Sequence, residues 1–261
     1  MNRTRIAPTP SGFLHVGNLL NFKLVQKCAA QFDAEIALRI DDVDSDRVRE
    51  GYLLDIFEKL SAMQFGWQHG PKSYDEVSTY SQSKKINDYR EALSALQACS
   101  EDIFVCSCSR AQRISGRCVA DCFARQNKFV PDQNAVRIRQ PNQDEVLWRR
   151  DDLPSYHLTD IVDDAELQIT HVFRGADLFD STQLQKVLRE RLQIKVPQYA
   201  FHPLIEIAGS KISKSTGTNK LLYTKEIDEK LEALADELLP HVNAQFSNPI
   251  ESVFDLLPID A

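Results

Sequence analysis

A chain of 261 residues, 43% hydrophobic and 26% charged, has the composition of a packed globular protein with room for one large domain, or one domain carrying an insertion. A formal net charge of −7 argues against a general, sequence-blind nucleic-acid binder, while leaving space for a local basic patch aimed at one RNA or nucleotide. The longest apolar runs fall far below a membrane span and the opening MNRTRIAPTPSG lacks an apolar signal core, so no membrane partner and a cytoplasmic location are expected.

Residues 3–7 are expected to form a strand, and 18–32 (NLLNFKLVQKCAAQF) place apolar residues at helical spacing. EIALRI (35–40) reads as a buried strand that ends at the acidic DDVDSD, and helices are expected near 48–64 and 80–99. Strand, helix and strand in this order point to a parallel sheet with crossover helices. The rhythm breaks at 100–135. After it, AVRIRQ and EVLWRR read as two short strands joined by PNQD, as in a hairpin. LPSYHLTDIVDDAELQITHVFRG supplies a helical or mixed stretch and then a strand at ITHVF. DSTQLQKVLRERLQI is an amphipathic helix with Ser181 and Thr182 as N-cap candidates. A strand-like FHPLIEIA leads to GSKISKSTGTNK, and DEKLEALADELLPHV is helical.

The expected fold is α/β: a Rossmann-type parallel-sheet nucleotide-binding domain with a small zinc-knuckle insertion and a short helical C-terminal extension. Its halves are residues 1–98 and 151–208, the insertion is 99–150, and a lysine loop with a helical segment fills 209–261.

Four of the six cysteines crowd into the insertion. Cys106, Cys108, Cys118 and Cys122 form a C-x-C pair and a C-x3-C pair, the reach of a tetrahedral zinc site. With no export signal, disulfides are disfavoured. A site filled by four protein thiolates is structural, with no position open for catalysis; the alternative is four buried or reactive thiols.

In an open parallel sheet, ligands lie beyond the C-terminal ends of the strands. Residues 8–18 are such a place. Gly12 and Gly17 allow close backbone approach, the following helix offers N–H groups to a phosphate, and His15 and Asn18 add side-chain donors. A turn whose histidine merely caps the helix is the plainer reading. GSKISKSTG (209–217) carries Lys211 and Lys214 between serines and glycines. Such a cationic loop can fold over a polyphosphate, or it can be a solvated Ser/Lys connection.

PTPSGFLHVGN and KISKS together resemble the HIGH and KMSKS signatures of class I aminoacyl-tRNA synthetases. RIAPTPSGFLHVGN, LRIDDVD, PSYHLTDIVDD, ITHVFRGADLFDST and HPLIEIAGSKISKS match, in order, the glutamyl branch of that class, over residues 3–217. The resemblance implies that His15, Gly17 and Asn18 contact ATP and that Lys211 and Lys214 close on its phosphates. It places Arg5 and Arg174 on the glutamate side-chain carboxylate, which a guanidinium reads through bidentate hydrogen bonds. It puts Thr9, Asp41 and Tyr156 along the amino-acid pocket, with Asp41 able to pair with the substrate ammonium. The implied reaction needs no side-chain nucleophile. Glutamate attacks the α-phosphate of ATP, Mg2+ and the lysines stabilise the charge, and the adenylate is passed to tRNA.

A similar cysteine knuckle occurs in the insertion of some glutamyl-type enzymes, with a tyrosine where Cys118 stands here. The short stretch after the lysine loop resembles the glutamyl-queuosine tRNA(Asp) synthetases, which keep the catalytic domain without the anticodon-binding one; a monomer is expected. Three features depart from the family pattern. The segment between AVRIRQ and RRDDLPSYHL is short, Asp41 replaces the usual glutamate, and Asp160 stands where glutamyl-tRNA synthetases have an asparagine. They bear on the amino acid, which is glutamate or a close analogue, and on the acceptor. The alternatives are an amino-acid-activating ligase with a non-tRNA acceptor or an altered amino acid, a non-catalytic synthetase paralogue, and a nucleotidylyltransferase.

Overall fold

The chain opens as its pattern predicts. β1 (Asn2–Ile6) runs into α1 (Val16–Gln31), which returns the chain to β2 (Ala34–Leu38), paired in parallel with β1 from Asn2–Ala34 to Ile6–Leu38. The computed structural model describes residues 1–118, 122–125, 127–203, 206, 207, 210, 211, 220–247, 249 and 250. After β2 come α2 (Glu50–Ala62), the single turn α3 (Val77–Tyr80) and α4 (Ile86–Cys99), then β3 (Ile103–Cys106) and the two-residue strands β4 (Arg113–Ile114) and β5 (Arg117–Cys118). β6 (Ala135–Arg139), β7 (Asp144–Trp148), α5 (Tyr156–Glu166), β8 (His171–Gly175), α6 (Phe179–Arg191) and β9 (Gln198–His202) follow. β10 (Glu206–Ile207), β11 (Ser210–Lys211) and the long α7 (Lys225–Ser247) complete the described elements.

Two compact units emerge, one of Met1–Ser81, Leu167–Thr182 and Pro197–Ala261, the other of Gln82–Glu166 and Gln183–Val196. In the first, β8 and β9 pair in parallel. They join β1 through Thr170, whose N–H donates to the Arg3 carbonyl at 2.9 Å and whose hydroxyl accepts the Arg3 N–H at 2.8 Å. On the far side of β2, the Leu38 N–H reaches the His69 carbonyl and the Gln68 N–H reaches Ile36, each at 2.8 Å. Gly70 makes that approach possible: its φ is +96°, and a Cβ there would stand 1.9 Å from the Leu38 oxygen.

α1 is buried on most sides, at Leu19, Leu20, Phe22, Leu24, Val25 and Cys28, because the sheet covers one face and α7 another. α7 contributes Leu231, Ala235, Leu238 and Val242, one stripe at helical spacing. Each such leucine or valine stabilises the fold by about 1.5–3 kcal/mol on burial. Lys23 pairs with Asp228 at 2.6 Å and Lys27 with Asp236 at 2.7 Å, setting α7 in register along α1. At the edge of β9, Gln245 behaves as one more strand residue. Its amide accepts the Phe201 N–H at 2.9 Å and donates to the Phe201 carbonyl at 2.7 Å.

The second unit has a three-stranded antiparallel sheet in the order β3–β6–β7, whose β6–β7 hairpin is the one expected at PNQD. Its core joins Tyr89 and Leu96 of α4, Ile138, Leu147 and Trp148 of the sheet, and Leu158 and Ile161 of α5. The buried Asp163 carboxylate is satisfied by Gln82 at 2.7 Å, Tyr89 at 2.8 Å and Lys85 at 3.3 Å.

One expectation is corrected. Ser181 and Thr182 do not cap α6, because a 3-10 turn over Ala176–Leu178 runs directly into a helix that begins at Phe179. Thr182 lies inside the first turn, where its hydroxyl donates to the Leu178 carbonyl at 2.7 Å.

Candidate functional site

The first unit gathers most of the expected site at the C-terminal ends of its parallel strands. Arg5 is near the end of β1, Asp41 just beyond β2, Arg174 near the end of β8, and His15 at the N-terminus of α1. That end of a parallel sheet is where loops and helix N-termini meet a ligand.

His15 is the N-cap of α1, with extended backbone angles of φ −105° and ψ 170°. Its own N–H donates to the Asn18 Oδ1 at 3.0 Å, the backward half of a capping box. Asn18 thus holds the turn. The imidazole lies over Gly17, where a Cβ would come within 3.1 Å of Cε1 and 3.2 Å of Nδ1, so any larger residue there would displace the ring. Nδ1 of His15 is buried without a hydrogen-bond partner among the described residues. Burial holds the His15 pKa below its ordinary value, with the nearby Asp177 charge partly offsetting it, so the ring is neutral at pH 7. A neutral imidazole beside the first-turn N–H groups of a helix suits a phosphate oxygen or a polar hydrogen of a nucleotide.

Arg5 and Arg174 are 5% and 3% exposed, so two guanidinium groups are sunk in this unit. Arg174 donates to the Thr182 hydroxyl at 3.2 Å and lies over the Tyr199 ring at 5.3 Å, two contacts that fix its plane. Thr9 is exposed in the turn after β1, and the Asp41 N–H donates to the Pro8 carbonyl beside it at 3.0 Å. The Asp41 carboxylate is gripped by Arg39, with Nε to Oδ1 at 2.6 Å. A second histidine, His202 at the end of β9, is buried in the same unit. Its Nδ1 donates to the Pro203 carbonyl at 2.9 Å, Nε2 has no partner among the described residues, and burial lowers its pKa, with the Pro203 carbonyl and Asp177 opposing.

Lys211 ends β11, paired with Glu206 in the β10–β11 hairpin, while Lys214 lies outside the described residues. Tyr156 belongs to the second unit, where it starts α5 and is 37% exposed, its ring tilted against His157. Arg39 and His202 were missed by the sequence reading. Only Arg39 left a signal: its place two residues before Asp41 puts both side chains on one face of an extended chain.

The second unit carries the cysteines. All four Sγ atoms of Cys106, Cys108, Cys118 and Cys122 lie within 4.8 Å of one another, and Cys108 is 3.5 Å from Cys118 and 3.7 Å from Cys122. A tetrahedral ion with metal–sulfur bonds of about 2.3 Å sets its sulfurs about 3.8 Å apart, so this cluster can hold a metal. Local chemistry explains the convergence. Ser115 and Gly116, both at positive φ, turn β4 sharply back into β5 and bring Cys118 inward. Asp144 accepts the Cys118 N–H at 2.7 Å, and Arg150 donates to the Ser107 and Cys108 carbonyls at 2.7 and 2.8 Å. Among the described residues no helix is long and apolar enough to cross a membrane.

The same combination of turn, buried arginines and cysteine cluster is accompanied by similarity along nearly the whole chain. The family model described as tRNA synthetases class I (E and Q), catalytic domain, matches residues 1–117 and 117–239. The glutamyl-Q tRNA(Asp) synthetase of Methylococcus capsulatus is 34% identical over 244 residues, covering 82% of this chain and 76% of that protein. Glutamate--tRNA ligase 2 of Coxiella burnetii is 29% identical over 272 residues, covering 91% of this chain; the chain spans only 56% of that relative's length. The crystal structure of glutamate-tRNA synthetase from Elizabethkingia anophelis shares the fold, with a TM-score of 0.66 at 22% identity, over 88% of this chain and 53% of that one. The chain therefore belongs to the class I tRNA synthetases of the E and Q type, matching their catalytic domain.

Proposed function

We propose that this protein activates glutamate with ATP and passes the glutamyl group to tRNA, in the manner of the glutamyl-Q tRNA(Asp) synthetases. The observation that carries the reading is the pair of sunken arginines, Arg5 and Arg174, in the same unit and at the same sheet end as the His15–Asn18 turn. A buried, oriented guanidinium reads a carboxylate through paired hydrogen bonds, and the glutamate side chain ends in such a carboxylate. The 34% identity to a glutamyl-Q tRNA(Asp) synthetase over 76% of its length supports the acceptor.

In this reading His15, Gly17 and Asn18 seat the ATP phosphates at the start of α1, and Lys211 and Lys214 offset charge on the leaving group. A carboxylate oxygen of glutamate bonds to the α-phosphorus as the bond to the bridging oxygen of pyrophosphate breaks. Mg2+, when bound with ATP, would neutralise charge on the phosphate oxygens. A hydroxyl of the acceptor then attacks the glutamyl carbonyl, its proton is lost, and AMP departs. Thr9 and Asp41 line the amino-acid side, with Asp41 on the ammonium. The four cysteines hold a structural zinc, and the protein acts as a monomer in the cytoplasm.

ATP–pyrophosphate exchange over a panel of amino acids, with and without tRNA, tests the reading. Exchange with glutamate followed by labelling of queuosine-bearing tRNA(Asp) is the expected result, and exchange with no amino acid overturns it. Asp160, fully buried on α5, motivates a second reading in which the amino acid differs from glutamate. The same panel separates the two.

A further inference from the structure

A buried ion pair stands behind the signature turn with no assigned role. Asp55 on α2 is 0% exposed and pairs through Oδ1 with Lys59, itself 2% exposed, one helical turn on. The other oxygen, Oδ2, accepts the N–H of Leu14 at 3.0 Å, across 41 residues of chain. Leu14 immediately precedes His15. The two N–H groups on the approach to α1 are therefore both held by side chains, Leu14 by Asp55 and His15 by Asn18. Lys220 also comes within 4.0 Å of Asp55 Oδ1 while pairing with Glu58 on the same helix.

Stability alone does not explain this arrangement. Replacing a buried ion pair by apolar residues of similar volume is often neutral or stabilising, because desolvation offsets the Coulomb attraction. An apolar pair, however, cannot accept the Leu14 N–H. A carboxylate can, with a charge-assisted bond that fixes the direction in which the chain enters the helix.

We infer that Asp55 is a positioning residue for the nucleotide side of the site: through Leu14 it sets where the His15 imidazole and the first N–H groups of α1 stand. Lys59 pairs with the other carboxylate oxygen, Oδ1. The inference rests on the proposed activity, and it concerns ATP rather than the amino acid, since Arg5, Asp41 and Arg174 sit on other elements.

The test compares two double variants. Asp55→Leu with Lys59→Met removes the pair and the acceptor, whereas Asp55→Asn with Lys59→Met removes the charges but keeps an oxygen for Leu14. The first is expected to speed amide hydrogen exchange at Leu14 and to weaken use of ATP about tenfold to a hundredfold, the scale of a displaced reacting group, with the glutamate KM unchanged. The asparagine variant is expected to restore both readouts. Melting curves of the two double variants separate positioning from loss of the fold. Equal ATP KM values in the two double variants, or unchanged Leu14 exchange, would overturn the inference. If the wild-type protein exchanges pyrophosphate with no amino acid, the proposed function falls instead. Leu14 exchange and the ATP dissociation constant from calorimetry then decide the role of Asp55 by themselves.

Discussion

The carboxylate of Asp41 lies side-on against the guanidinium of Arg39, with Nε to Oδ1 at 2.6 Å and Nη2 to Oδ2 at 3.2 Å, and both side chains are at most 10% exposed. A two-point contact of this kind fixes the plane of the carboxylate as well as its place. Under the proposed function Asp41 meets the substrate ammonium, and that plane then decides how well the amino acid is seated. Arg39→Gln should therefore raise the glutamate KM about tenfold through misorientation, with little change for ATP. Steady-state exchange kinetics with each substrate varied in turn checks the split. A change confined to the ATP KM would remove Arg39 from the amino-acid side.

Arg174 is held by the Thr182 hydroxyl and the Tyr199 ring, so under the proposed function its fork is already oriented for the glutamate carboxylate. Lysine keeps the charge but loses the planar fork. Arg174→Lys is expected to weaken glutamate binding by about 1.5–3 kcal/mol, the value of a hydrogen bond to a charged group. Calorimetric titration with glutamate measures it, and binding equal to wild type would put the arginine elsewhere.

Under the proposed function Lys214 offsets charge developing on the leaving pyrophosphate. Lys214→Ala should lower the activation rate about 100- to 1,000-fold, the typical loss when a donor to developing charge is removed. Circular dichroism should stay that of the wild type. Activity surviving this change would show that the lysine segment is a plain connection.

Elemental analysis of protein purified without chelators should find one zinc per chain. Stripping the ion, or Cys118→Ser, should destabilise the second unit by several kcal/mol, because metal-binding energy is part of folding energy where four thiolates must be held together. Melting curves in the presence and absence of added zinc report the difference. Metal-free protein with an unchanged melting curve would leave the cysteines as four buried thiols.

His202 is buried and His15 half-buried, and both have pKa values below the ordinary 6.5. The folded chain therefore binds fewer protons at these rings than the unfolded chain once the pH falls below about 6.5, and stability must decline as the pH drops through that range. Their contribution is fully present above pH 6.5. Replacing the buried ring by His202→Gln should flatten the slope of unfolding free energy between about pH 6.5 and 5, as followed by urea titration. An unaltered slope would mean that His202 is not titrating in the fold.

Much of the site was legible because its signals are local. The strand-to-helix turn at His15, the four cysteines in two close pairs and the β6–β7 hairpin each depend on residues within a few positions of one another. Thr182 was misread for a related reason: a serine–threonine pair at a helix start resembles a cap unless the preceding 3-10 turn is known. Asp55 could not be seen in advance, since an aspartate four residues before a lysine is an ordinary exposed helix pair until packing buries it.

The sequence by itself determined the chemistry available: a histidine and asparagine at a turn, arginines near strand ends, lysines between serines, thiols at metal spacing. Tertiary structure alone decided which polar groups are sealed from water and what each must then bond. Asp55 accepts Leu14 across 41 residues, and Gln245 completes Phe201 across 44. These pairings follow from folding because a buried polar atom without a partner costs about 1–3 kcal/mol, and the nearest partner in space is seldom the nearest along the chain.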